Sequence, residues 1–128
     1  MIVDDSTIMR LITRKFLDSS GFNIGRIEEA ASGEQALEKL RKQTVELILC
    51  DMNMPGMSGV ELVKKIRAEI TGGDDIKIIM ISAEENSEYI QTITAAGADG
   101  YITKPFNAEK LIEGILLNIE RSTSNVEF

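Results

Sequence analysis

The chain contains no histidine, no tryptophan and a single cysteine, Cys50. Without an imidazole there is no histidine base, nucleophile or metal ligand, which excludes serine–histidine and cysteine–histidine catalysis. Zinc sites built from His and Cys are excluded as well. Any phosphohistidine chemistry must take its histidine from a partner. One cysteine cannot form an internal disulfide and fits a reducing cytosol. Cys50 is expected to be a buried strand residue, because a free thiol packs as a small hydrophobe. No apolar run approaches the ~20 residues of a membrane span. No basic flank, apolar run and small-residue site combine into a signal peptide. Membrane insertion is therefore not expected, and a cytoplasmic location is.

What is present fits one domain with a real core: 128 residues, 43% apolar and 27% charged. The net charge of −7 argues against direct nucleic-acid binding through the overall field and favours attraction of cations. Four short apolar runs each end on a residue with chemical potential. Ile2-Val3 leads into Asp4-Asp5, and Leu47 to Cys50 leads into Asp51. Ile78 to Ile81 leads into Ser82, and Tyr101 to Thr103 leads into Lys104-Pro105. Apolar runs separated by amphipathic helical patterns read as buried parallel strands. Ligands of such sheets bind along the edge where the strands' carboxyl ends lie.

The spacing predicts five strand–helix units. The first helix runs Ser6 to Ser20, with Met9, Ile12, Phe16 and Leu17 as its stripe and Gly21 as its stop. A polar second strand, about Arg26 to Ala30, carries Arg26, Glu28 and Glu29 and belongs at an edge. Ser32 and Gln35 have capping-box spacing before a helix with Ala36, Leu37 and Leu40 on one face, ending near Gln43. The third strand is Leu47 to Cys50, followed by a loop from Met52 to Gly59. Ser58 and Glu61 form a second box, and Val60, Leu62, Val63 and Ile66 line a helix that ends before Gly72-Gly73. The fourth strand is Lys77 to Ser82, and its helix, about Ser87 to Ala95, is closed by Gly97. The fifth strand is Gly100 to Thr103. Asn107 caps a last helix with the stripe Leu111, Ile112, Ile115, Leu116 and Ile119. Ser122 to Phe128 has no pattern and reads as a frayed tail after a domain of residues 1–121. The first strand is short for a central one; it is either minimal or continued by residues ahead of Met1.

This alternation predicts an open α/β sheet with helices on both faces. Right-handed crossovers, a polar edge strand and apolar first and third strands are satisfied by the order 2-1-3-4-5. Asp4, Asp5 and Asp51 then converge at the switch point. Alone, Asp4 and Asp5 could simply cap the first helix; with Asp51 at the end of another strand, a cation site is the better reading. Crowded carboxylates raise one another's pKa unless a cation joins them. Oxygen-only ligands suit magnesium, which also keeps waters and phosphate oxygens in its shell. Asp51 is the candidate to attack a phosphoryl group and form an acyl phosphate. Lys104, the Ser82 hydroxyl and magnesium could neutralise the equatorial oxygens.

Val3-Asp4-Asp5-Ser6, Asp51 to Gly59, Ser82-Ala83 and Tyr101 to Phe106 together resemble the signature of two-component response-regulator receiver domains. The likeness covers essentially the whole chain and is strongest to the single-domain chemotaxis regulators. It implies the flavodoxin-like, doubly wound (βα)5 fold. It implies that Asp51 is the phosphoacceptor, fed by the histidine of a partner kinase. Asp5, Asp51 and the main-chain carbonyl of Asn53 would bind Mg2+ directly, and Asp4 through water. Lys104 would contact the phosphoryl oxygens, Ser82 would move to bond them, and Tyr101 would turn inward behind it. Lys104-Pro105 would be a cis peptide. Asn53 and Glu84, two residues beyond Asp51 and Ser82, would set how fast water removes the phosphate.

On this resemblance the chain is a signalling switch, not an enzyme acting on an external substrate. It catalyses its own phosphotransfer and dephosphorylation. Its output face is built from the fourth helix, fifth strand and last helix and addresses a protein target such as a motility component. A receiver belonging to a larger regulator is the alternative. An aspartyl-phosphate phosphatase fits less well, because Asn53 stands where a second acid is needed and no insertion can form a cap. A flavin carrier of the same topology fits poorly without tryptophan or a Ser/Thr-rich phosphate loop.

Overall fold

Continuous β-branched and apolar runs are what a strand needs when both its faces are covered. In the computed structural model, which describes residues 1–126 and the side chains through Asn118, those runs form one parallel sheet in the order β2-β1-β3-β4-β5. The strands are β1 (Ile2–Val3), β2 (Glu29–Ala30), β3 (Leu47–Asp51), β4 (Lys77–Ser82) and β5 (Gly100–Thr103). The helices are α1 (Thr7–Asp18), α2 (Gly33–Lys42), α3 (Gly59–Glu69), α4 (Ser87–Ala96) and α5 (Ala108–Val126), with a 3-10 turn at Gly73–Asp75. This is the flavodoxin-like (βα)5 arrangement expected from the sequence.

Strand alternation divides the core into two layers. Ile48, Cys50, Ile78 and Met80 face one side, packed with Leu37, Leu40, Leu62, Val63, Ile66 and Ile93 from α2, α3 and α4. Leu49, Ile79 and Ile81 face the other side with Ile102, meeting Leu17 of α1 and Leu111 and Ile115 of α5. Cys50 is therefore a buried strand residue. Phe16 and Phe106 meet edge to face, with ring centroids 6.1 Å apart, where α1 meets the start of α5.

The caps follow the side chains that suit them. Ser32 Oγ accepts from the Gln35 amide at 3.1 Å, and Gln35 Oε1 accepts from the Ala31 amide at 2.9 Å. Ser58 Oγ accepts from the Glu61 amide at 3.2 Å. Asn107 Oδ1 accepts from the Lys110 amide at 2.8 Å. Gly97, at φ +118°, closes α4 in a backbone region that residues with a Cβ rarely enter.

Three boundaries differ from the sequence reading by two residues or more. β2 is only Glu29–Ala30, not Arg26 to Ala30. It pairs with β1, which has just two residues to offer, Ile2↔Glu29 and Val3↔Ala30. α1 stops at Asp18, two residues early, because Ser20 Oγ bonds back to the Leu17 carbonyl at 2.6 Å and turns the chain before Gly21. α5 continues through Val126, into the stretch read as a tail from Ser122. No Gly or Pro stands there to stop it, and extending an existing helix costs little. Residues 127–128 lie outside the described residues, as does the side chain of Ile119.

Arg67, near the end of α3, joins two loops at the sheet end remote from Asp51. Its guanidinium donates to the carbonyls of Ile76 at 2.7 Å and Gly97 at 2.6 Å, and to Asp99 Oδ2 at 3.0 Å. Asp99 Oδ2 in turn accepts from the Ile78 amide at 2.9 Å.

Ile48 and Ile78 are fully buried neighbours on β3 and β4. Truncating Ile78 to Ala should cost about 2–5 kcal/mol, the range for a large-to-small change in a packed core. Denaturant unfolding of the two proteins measures the difference.

Candidate functional site

Parallel register carries the chemistry-bearing residues to one edge. Val3 pairs with Cys50, so Asp4 and Asp51 are the next residues on adjacent strands. Asp51 pairs with Ile81 and Ser82 with Thr103, which places Ser82 and Lys104 beside Asp51. The Lys104 amide donates to the Ser82 carbonyl at 2.8 Å, extending the ladder by one bond. The Lys104–Pro105 peptide is cis.

Asp4, Asp5 and Asp51 each offer a carboxylate oxygen, and these oxygens lie within 4.8 Å of one another. Asp51 is 4% exposed and Asp4 8% exposed, whereas Asp5 is open to solvent. The Lys104 ammonium donates to Asp51 Oδ1 at 2.8 Å. Asp4 Oδ1 accepts from the Ser6 amide at 2.9 Å. Burial raises the pKa of Asp4, the neighbouring Asp51 and Asp5 add to the rise, and the Ser6 amide and Lys104 oppose it. Three acids against one ammonium leave an excess of negative charge. An all-oxygen set of this kind fits a hard divalent cation with open positions for water. Asn53, in the loop after Asp51, is exposed.

The Ser82 side chain is buried, and its Oγ accepts from the Glu84 amide at 3.1 Å. Its hydroxyl hydrogen is thereby left for another acceptor. Tyr101, one strand over, is half-buried, and its hydroxyl oxygen is buried without a hydrogen-bond partner among the described residues. Burial raises its pKa, with the nearby hydroxyls of Ser82 and Thr103 opposing. Cys50 stands next to the acids, but burial first, then Asp51 and Asp4, push its thiol pKa far up. Those surroundings disfavour the thiolate that a nucleophilic cysteine needs.

Asp4, Asp5 and Lys104 therefore gather around Asp51, Ser82 stands at the end of the adjacent strand, and Tyr101 lies one strand further on. Two further residues belong to the site's framework. At Gly59 a Cβ would sit 2.9 Å from the Asp51 carbonyl oxygen and from Met52 Cα. Only a glycine lets α3 begin so close to the end of β3. The x-Gly-x at a loop end gave a sequence signal for this, though it read only as a breaker. Arg10 bonds the Asp4 main-chain carbonyl. Nothing in the spacing of a lone arginine on a helix announces that contact.

Comparison with known proteins agrees with this geometry. Residues 1–116 match the response regulator receiver domain family, and the chain belongs to it. It is similar to the chemotaxis protein CheY-3 of Vibrio cholerae, at 40% identity over 94% of this chain and 91% of that protein. Similarity to the chemotaxis protein CheY of Pseudomonas aeruginosa is 36%, over 94% and 95% of the two chains. The solved structure of the chemotaxis response regulator CheY4 of Vibrio cholerae superposes with a TM-score of 0.83. That pair is 35% identical over 91% of this chain and 94% of the other. The protein is thus a CheY-like receiver domain. No helix among the described residues is long and apolar enough to cross a membrane.

The raised pKa of Asp4 has a sign that can be measured. Unfolded Asp4 ionises near the ordinary aspartate value, while folded Asp4 holds its proton to higher pH. Metal-free stability therefore falls as pH rises through that window and stays lower above it. Asp4→Asn keeps the oxygen that accepts from Ser6 and removes the charge. Without divalent cation at neutral pH it should raise the melting temperature by about 2–5 °C. At pH 3, where wild-type Asp4 is protonated, the gain should vanish.

Proposed function

We propose that this protein is a phosphorylation-dependent switch in which Asp51 accepts a phosphoryl group from the phosphohistidine of a partner kinase. The supporting observation is the placement of a 4%-exposed aspartate against Lys104 at 2.8 Å and within reach of Asp4 and Asp5. An Asp51 oxygen attacks phosphorus, the phosphorus–nitrogen bond breaks and the partner's imidazole leaves. The acyl phosphate that results is later hydrolysed by water. Asp5, Asp51 and the Asn53 main-chain carbonyl would hold Mg2+ directly, and Asp4 would act on it through water. Bound there, the metal would neutralise charge on the phosphoryl oxygens. Lys104 exchanges part of its ion pair with Asp51 for the new phosphoryl oxygens. The Ser82 hydroxyl, whose hydrogen is uncommitted, donates to one of them.

The readout follows from what Ser82 holds. Its Oγ anchors the Glu84 amide at the start of the loop to α4, so drawing Ser82 toward phosphate pulls that loop. Tyr101 already has its hydroxyl buried. The switch in this chain is therefore a shift in an equilibrium of Tyr101 and loop positions, not a one-way insertion. The face formed by α4, β5 and α5 changes shape for a protein target. The likeness to CheY-3 and CheY favours a chemotaxis or motility role in the cytoplasm. No direct role for nucleic acid or membrane is part of this reading.

Incubating the protein with acetyl phosphate and Mg2+ should add one phosphate's mass to the intact chain. Asp51→Asn should show no gain, and chelation of the metal should abolish it in wild type. An unmodified wild-type protein under these conditions would refute the reading. Asn53 and Glu84 border the phosphoacceptor and Ser82. Replacing either by Ala should change the first-order rate of phosphate loss, followed by the decay of the phosphorylated mass. Identical decay in all three proteins would show that neither residue governs water access.

A further inference from the structure

We propose that Arg10 is a positioning residue for the cation site, acting through the peptide that joins Asp4 to Asp5. The inference rests on the reading of Asp4, Asp5 and Asp51 as cation ligands, and it concerns what fixes one of them. β1 ends at Val3, so the two acids lie beyond the regular ladder. Asp4 is tied down by its own amide, which donates to the Ala30 carbonyl at 3.1 Å, and by its side chain on the Ser6 amide. Asp5 has neither restraint. It is exposed, and no group among the described residues hydrogen-bonds its carboxylate. The position of its Cα is set by the peptide plane ahead of it. The oxygen of that plane is the Asp4 carbonyl, which accepts from Arg10 Nη1 at 2.6 Å.

Arg10 is itself fixed. Its Nε donates to Glu29 Oε1 at 3.1 Å, and its Nη2 to Thr7 Oγ1 at 3.3 Å. Its side chain is 14% exposed. Arg14 holds the second Glu29 oxygen at 2.9 Å. The planar guanidinium thus spans from β2 to the Asp4–Asp5 turn, with three diverging donors that one ammonium cannot reproduce. The pairing with Glu29 also offsets its charge, which limits direct repulsion of a cation. Groups that orient metal ligands without touching the metal commonly decide affinity.

The test is calorimetric titration of the metal-free, unphosphorylated full chain with Mg2+, with thermal melting by circular dichroism alongside. Wild type should bind one ion. Arg10→Ala and Arg10→Lys should each weaken binding by about tenfold. Arg14→Ala, which loosens Glu29 but leaves the peptide held, should lower the melting temperature and leave the affinity unchanged. If Arg10→Ala does not fold, Arg10→Lys, which keeps charge and bulk, carries the comparison. Wild-type affinity in Arg10→Lys would overturn the proposal. So would tighter binding in Arg10→Ala, the mark of a residue that acts only by charge. A wild-type chain that binds no Mg2+ would instead overturn the underlying reading of the acids as ligands, and this inference with it.

Discussion

The contact on which the site depends is the ion pair between Lys104 and Asp51. It is the one cationic contact to a group of carboxylates packed within 4.8 Å of one another, among the described residues. Three acids gathered at the end of a sheet repel one another, and two of them are largely out of water. A single ammonium relieves part of that and leaves the remainder as an unsatisfied demand for positive charge. The same imbalance that makes the resting arrangement costly makes it receptive to a divalent ion. Lys104 can serve because β5 ends in register with β4, which places the lysine backbone one hydrogen bond beyond Ser82.

Much of this was legible in the sequence. Apolar runs flanked by chemistry at their carboxyl ends are unambiguous when both faces of a sheet are covered, and β3, β4 and β5 were delimited to within a residue. The caps at Ser32, Ser58 and Asn107 were legible for a similar reason, since their chemistry is local and the partner amide lies three residues on. The convergence of Asp4, Asp51, Ser82 and Lys104 followed once the strand order was deduced, because in a parallel sheet order and register together fix which strand ends are neighbours.

What could not be read depended on contacts between distant segments. β2 contracted to two residues because its partner strand is that short, a property of the pairing and not of the run from Arg26 to Ala30. The helix past Ser122 lacks apolar periodicity, so pattern gave no reason to continue it. The contacts of Arg10 had no sequence signal, since nothing local ties it to Glu29 or to the Asp4 carbonyl. The inward placement of the Tyr101 hydroxyl likewise depends on how α4 packs against the sheet, which residue spacing does not encode.

The Arg67 network gives α4 a fulcrum. With the Gly97 carbonyl and Asp99 bound to one buried-edge guanidinium, the carboxyl end of this helix is pinned to the body of the protein. At its opposite end it is capped by Asn86 alone. A helix of ten residues is about 15 Å long, so any tug transmitted through Glu84 converts into tilt about a fixed far end. Sliding of the whole rod would require the guanidinium to release both the Gly97 carbonyl and Asp99. A pull on the Glu84 loop would therefore tilt the helix about its Gly97 end.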